Sequence, residues 1–130
     1  MVNDRGEAGK RLVEALSTTG YLVELAFWAK PTEEGRWFLY LASRLVDEKG
    51  PAEGYRLVLG FLRDNPNPWI EPLDVRVLGL EDSMTKAVLA RAKPRMSSLK
   101  PYPGMTRFDD VYLAGVSMDG ALVYPLVPAA

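Results

Sequence analysis

Tyr21-Leu22-Val23-Glu24-Leu25-Ala26-Phe27-Trp28-Ala29-Lys30, followed by Pro31-Thr32-Glu33-Glu34-Gly35 and then Arg36-Trp37-Phe38-Leu39-Tyr40-Leu41-Ala42-Ser43-Arg44-Leu45, is the stretch on which the fold turns. Two runs of aromatic and aliphatic residues enclose five loop residues that end in glycine. Such runs suit a pleated sheet, and a short glycine-containing linker between them reads as a β-hairpin. Setting Lys30 opposite Arg36 places Trp28 against Phe38, Ala26 against Tyr40 and Glu24 against Ala42. Side chains alternate across a strand, so this register sorts them into two faces. Tyr21, Val23, Leu25 and Phe27 join Trp37, Leu39 and Leu41 on a uniformly apolar face, which is expected to pack on helices. The opposite face mixes Leu22, Glu24, Ala26 and Trp28 with Phe38, Tyr40 and Ala42, and Lys30, Arg36 and Arg44 flank it.

Upstream of the hairpin, Ala8, Leu12, Ala15 and Leu16 recur at helical spacing between Arg5 and Thr19, and Gly20 stands where a helix C-cap glycine would. Downstream, Asp47-Glu48-Lys49-Gly50-Pro51 reads as a turn with Pro51 opening a second helix whose stripe is Tyr55, Val58, Leu59 and Leu62. Asn65-Pro66-Asn67-Pro68 ends that helix. Leu73–Leu80 reads as a strand with Val75 and Val77 inward. Glu81-Asp82-Ser83 then caps a third helix from Met84 to about Ala92, which Pro94 is expected to stop. Lys93–Arg107 lacks periodicity and reads as a long loop. Val111–Val116 and Ala121–Val127 form a closing hairpin about Asp119-Gly120, and Pro125 confines its last strand to an edge or a terminus.

The predicted order is helix, strand, strand, helix, strand, helix, strand, strand. It describes one α+β domain over residues 1–130, with a mostly antiparallel sheet of about five strands and two or three helices packed on one face. At 48% hydrophobic and 25% charged the composition is that of a globular chain. The mixed-charge start and the shortness of the apolar runs point to a cytoplasmic protein, with no membrane partner.

Composition also removes chemistries. The chain has no cysteine and no histidine, which excludes disulfide scaffolds, thiolate sites, imidazole acid–base catalysis and nearly all zinc sites. Sixteen basic against seventeen acidic residues leave a net charge of −1, so attraction to nucleic acid would need a local patch. Gly6-Glu7-Ala8-Gly9-Lys10-Arg11 fails the phosphate-loop pattern, because Asp4 stands at the first glycine position and Arg11 follows the lysine. No cofactor is expected.

Three candidate sites remain. The mixed hairpin face, with Glu24, Trp28, Phe38, Tyr40 and Arg44, carries large rings that need a cover, and aromatic residues and arginine dominate interface hot spots. The leading expectation is therefore a non-enzymatic binding or assembly module that forms a homodimer or docks a protein partner through that face. A second reading takes Asp47-Glu48-Lys49 as a Mg²⁺-dependent, nuclease-like site, with Asp47 and Glu24 as ligands and Lys49 beside the attacking water. A third pairs the rings with anion contacts at Lys93, Arg95, Lys100 and Arg107 as a platform for single-stranded nucleic acid.

Overall fold

The computed structural model describes residues 3–98 and 106–124. Helix α1 (Asn3–Thr18) ends as Gly20 requires. Gly20 adopts φ +91°, and the amides of Gly20 and Tyr21 donate to the carbonyls of Ser17 and Leu16, which seals the helix end in a Schellman turn. Strands β1 (Leu25–Pro31) and β2 (Phe38–Ala42) pair antiparallel. Ser43 ends β2 and caps α2 (Arg44–Lys49), its hydroxyl accepting from the Leu45 amide. Gly50, at φ +91°, separates α2 from α3 (Pro51–Asp64). A 3₁₀ turn, Pro72–Asp74, leads into β3 (Val75–Leu78), and α4 (Ser83–Ser98), β4 (Thr106–Leu113) and β5 (Val116–Val123) follow.

The fold is α+β. Its five strands lie in the order β3-β2-β1-β5-β4, antiparallel except for the β2–β3 pair. Parallel neighbours need a long crossover, and α2 with α3 supplies it.

Helices cover both sides of this sheet, not one as expected. On the first face α1 and α3 bury Ala26, Trp28, Leu39, Leu41, Val75 and Val77. On the second, Val88 and the flanking side chains of α4 cover Leu25, Phe27, Phe38, Tyr40 and Ala42. This explains why the central strands read as unbroken apolar runs. A strand buried on both sides has no solvent face on which to place polar residues.

The hairpin register differs by one residue from the expected one. Leu25 pairs with Ala42, Phe27 with Tyr40 and Trp28 with Leu39. Because side chains alternate, the slip moves Phe38 and Tyr40 to the face opposite Trp28. The loop absorbs the offset: Pro31 joins β1, its carbonyl accepts from the Glu34 and Gly35 amides, and Gly35 takes φ +68°.

The closing hairpin turns at Ala114-Gly115, with φ +52° and +79°, instead of at Asp119-Gly120. Asp119 and Gly120 lie inside β5, and Gly120 leaves the space that the Trp37 ring approaches; a Cβ there would stand 3.1 Å from it. β5 lies between β1 and β4 and ends at Val123, before Pro125, so it is not an edge strand. Helix α4 continues through Pro94 to Ser98, which shortens the expected loop. Lys93 and Arg95 therefore lie on a helix and Arg107 on β4, whereas Lys100 falls outside the described residues.

Two buried phenols make the fold sensitive to alkali. Burial pushes Tyr21 and Tyr124 each up to about 12, with Tyr55 adding to the effect at Tyr21 and the Trp28 hydrogen bond opposing it at Tyr124. A phenol harder to ionise in the fold than in the unfolded chain favours the fold only while both forms keep the proton. Stability is thus expected to hold up to about pH 10, the ordinary tyrosine value, and to fall from there towards pH 12. Urea melts across that range, followed by tyrosinate absorbance, check this; a stability unchanged up to pH 12 would contradict it.

Candidate functional site

The expected aromatic face has no open rings. Trp28, Phe38 and Tyr40 are all 3% exposed or less. Trp28 lies under α1, and its Nε1 donates to the Tyr124 hydroxyl at 2.9 Å. Phe38 and Tyr40 lie on the other face, where Tyr40 stacks on Phe27 with centroids 4.7 Å apart. The three therefore form neither a docking face nor a base-stacking platform.

Glu24 and Arg44 do meet, for a structural reason. The Glu24 carboxylate accepts from the Arg44 amide at 3.0 Å and lies 3.6 Å from its guanidinium, so Glu24 holds the start of α2. Asp47 is occupied elsewhere. Its two oxygens accept from the Leu80 amide at 2.6 Å and the Glu81 amide at 3.1 Å, clamping the loop between β3 and α4. Gly79 sits against this carboxylate too closely for any Cβ. No cluster of three or more acidic side chains able to hold a metal occurs among the described residues. Arg107 is ion-paired to Asp109 at 3.0 Å.

The Asp47 clamp has a consequence for the second face. It fixes the loop from which Asp82 caps α4, with Oδ1 accepting from the Met84 amide at 2.8 Å, while the buried Thr85 hydroxyl donates to the Gly79 carbonyl. The start of α4 then forms one wall of a cleft of about 660 Å³. The floor is the β2–β3 end of the sheet, with Tyr40, Arg76 and Leu78. The opposite wall is the β4–β5 turn, where Tyr112, Val116 and Met118 stand, and the β1–β2 loop adds Glu33 and Glu34. Thr32 ties that loop to the hairpin: its amide donates to the Ser117 carbonyl and its hydroxyl to Asp119, each at 2.9 Å.

Arg76 is the fixed polar group of this cleft. Its guanidinium lies 3.9 Å above the Phe38 ring centroid, donates to the Tyr40 hydroxyl at 3.2 Å and pairs with Glu34 at 2.6 Å. Stacking and two hydrogen bonds restrict a side chain that is otherwise flexible. Burial pushes the Tyr40 phenol above its ordinary value, against the opposing pull of Arg76, so the hydroxyl stays protonated at neutral pH. That hydroxyl accepts from Arg76, and its own proton finds no acceptor among the described residues.

Among the described residues, Tyr40 is the one expected site residue that lines this cleft. Arg76, Glu33, Glu34, Met84 and Tyr112 were not singled out in the sequence. Arg76 in a strand between two buried valines was the available signal, because an alternating face with one cation among apolar neighbours implies a partner. Among the described residues no helix is long and apolar enough to cross a membrane. No family profile, curated protein or solved structure matches the chain.

Proposed function

We propose that this protein is a non-enzymatic binding module, and that it takes a small molecule in the cleft between the β2–β3 end of the sheet, the start of α4 and the β4–β5 turn. The observation that carries the reading is the Tyr40–Arg76–Glu34 group at the cleft floor, with the Tyr40 proton left to donate. Ligand sites are concave, mostly apolar, about 300–1,000 Å³ in size, and orient their guests with a few fixed polar groups. The cleft fits each of these terms. Arg76 is held by Tyr40 and Glu34 while the Tyr40 proton is left to orient a guest, which suits binding better than proton transfer.

Self-association through the hairpin rings loses support, since the chain's own helices cover them. The long edge strand β4 is also poorly suited to pairing with a second copy. It carries Arg107, Asp109 and Asp110, with Asp110 at φ +49°, and charges and local twists discourage edge-to-edge pairing.

A fragment screen followed by amide NMR tests the proposal. Hits are expected to shift the Ser83, Met84, Ser117 and Met118 amides together, because these residues line opposite walls. Hits that cluster elsewhere, or a screen with no hits, would overturn it.

A further inference from the structure

The charges around the cleft are lopsided. Arg76 is neutralised by Glu34 at 2.6 Å. Glu33 and Asp82 remain, and neither has an ion-pair partner among the described residues. Asp82 spends one oxygen on the Met84 amide. The lining also includes Tyr112, Met84 and Met118. Aromatic faces and polarisable sulfur accept organic cations and flat apolar bodies without demanding one shape. At the cleft floor the nearly buried Tyr40 hydroxyl offers a donor with no acceptor among the described residues.

We propose that the cleft selects a small organic cation: a protonated amine on a flat apolar body that also carries a hydrogen-bond acceptor. The amine sits toward Glu33 and Asp82, the body lies between Tyr112 and the methionines, and the acceptor receives the Tyr40 proton. This rests on the cleft being the ligand site. An anion would instead have to draw Arg76 away from Glu34 while facing two further carboxylates, which is the less favourable exchange.

Three probes on one frame separate the possibilities: para-(aminomethyl)benzamide, its neutral hydroxymethyl analogue, and the anion para-carbamoylbenzoate. Each is titrated against the full chain by amide NMR at low salt. The amine is expected to bind about tenfold more tightly than the anion, with the neutral probe between, and the gap should narrow as salt screens the charges. Glu33→Gln, an exposed and isosteric change, should weaken the amine about threefold and leave the neutral probe unchanged. Tyr40→Phe should weaken all three by about fivefold through the lost hydrogen bond. If the neutral probe or the anion binds as well as the amine, the cation preference is overturned while the cleft stands as the site. If none of the three shifts the cleft amides, the cleft reading itself fails.

Discussion

Trp28→Asp is expected to leave the chain unfolded in dilute buffer at room temperature. The indole is 1% exposed under α1, and its Nε1 donates to the Tyr124 hydroxyl, which in turn donates to the Gly6 carbonyl at 2.6 Å. Truncating a buried tryptophan costs about 3–5 kcal/mol from lost burial and the cavity left behind. An aspartate adds several kcal/mol more for a carboxylate taken out of water. Domains of this size are stable by about 5–15 kcal/mol in total, so the two losses together consume most or all of the margin. Far-UV circular dichroism and light scattering check the outcome on one sample. A folded variant whose mass differs from that of the parent would mean that the ring lies on an open surface and that docking through it must be reconsidered.

Gly9→Ala carries the second largest expected effect, and its sign opposes the local rule. Within a helix, alanine exceeds glycine by about 1 kcal/mol. At this position, however, the new methyl group would overlap the Tyr124 hydroxyl and approach Trp28 Nε1 to 3.0 Å. Tyr124 cannot swing away without giving up its bonds to both Trp28 and Gly6. Overpacking of about 1–3 kcal/mol and a weakened hydrogen-bond pair outweigh the propensity gain, for a net loss of about 2 kcal/mol. Gly60→Ala in α3 provides the contrast, since the nearest atom to its Cβ is the end of Arg63 at 4.0 Å. That change should stabilise by up to about 1 kcal/mol. Urea midpoints for the two variants should therefore move in opposite directions; a rise for Gly9→Ala would remove the close contact from the account of the core.

These two glycines show where sequence reasoning stops. Both occupy helix interiors and look alike as local chemistry, yet only one lies beneath a tyrosine from the far end of the chain. The same limit explains the hairpin. Its loop and its two strands follow from composition within fifteen residues on either side. Its register did not, because both central strands are apolar on both faces and no polar stripe marks which way a side chain must point. A one-residue slip then reassigned each ring. Pro94 and Asp119-Gly120 mislead in a related way. Each is a strong local signal, overridden by the continuation of α4 and by the space that Trp37 needs over Gly120.

Short-range chemistry was enough to specify the α1 terminus at Gly20, a loop between the first two strands, a cap within residues 81–83 and the alternation of helices with strands, because each depends on dihedral preferences and hydrogen bonds a few residues apart. The same composition excluded thiol and imidazole chemistry outright. Long-range packing settled the two-sided helical cover, the parallel β2–β3 pair and the clamp of Asp47 on the loop before α4. It also assembled the cleft, which joins residues 33–34, 40, 76, 82–84 and 112–118. Groups so far apart along the chain meet only when the sheet order is in place, and sheet order is a property of the whole buried core.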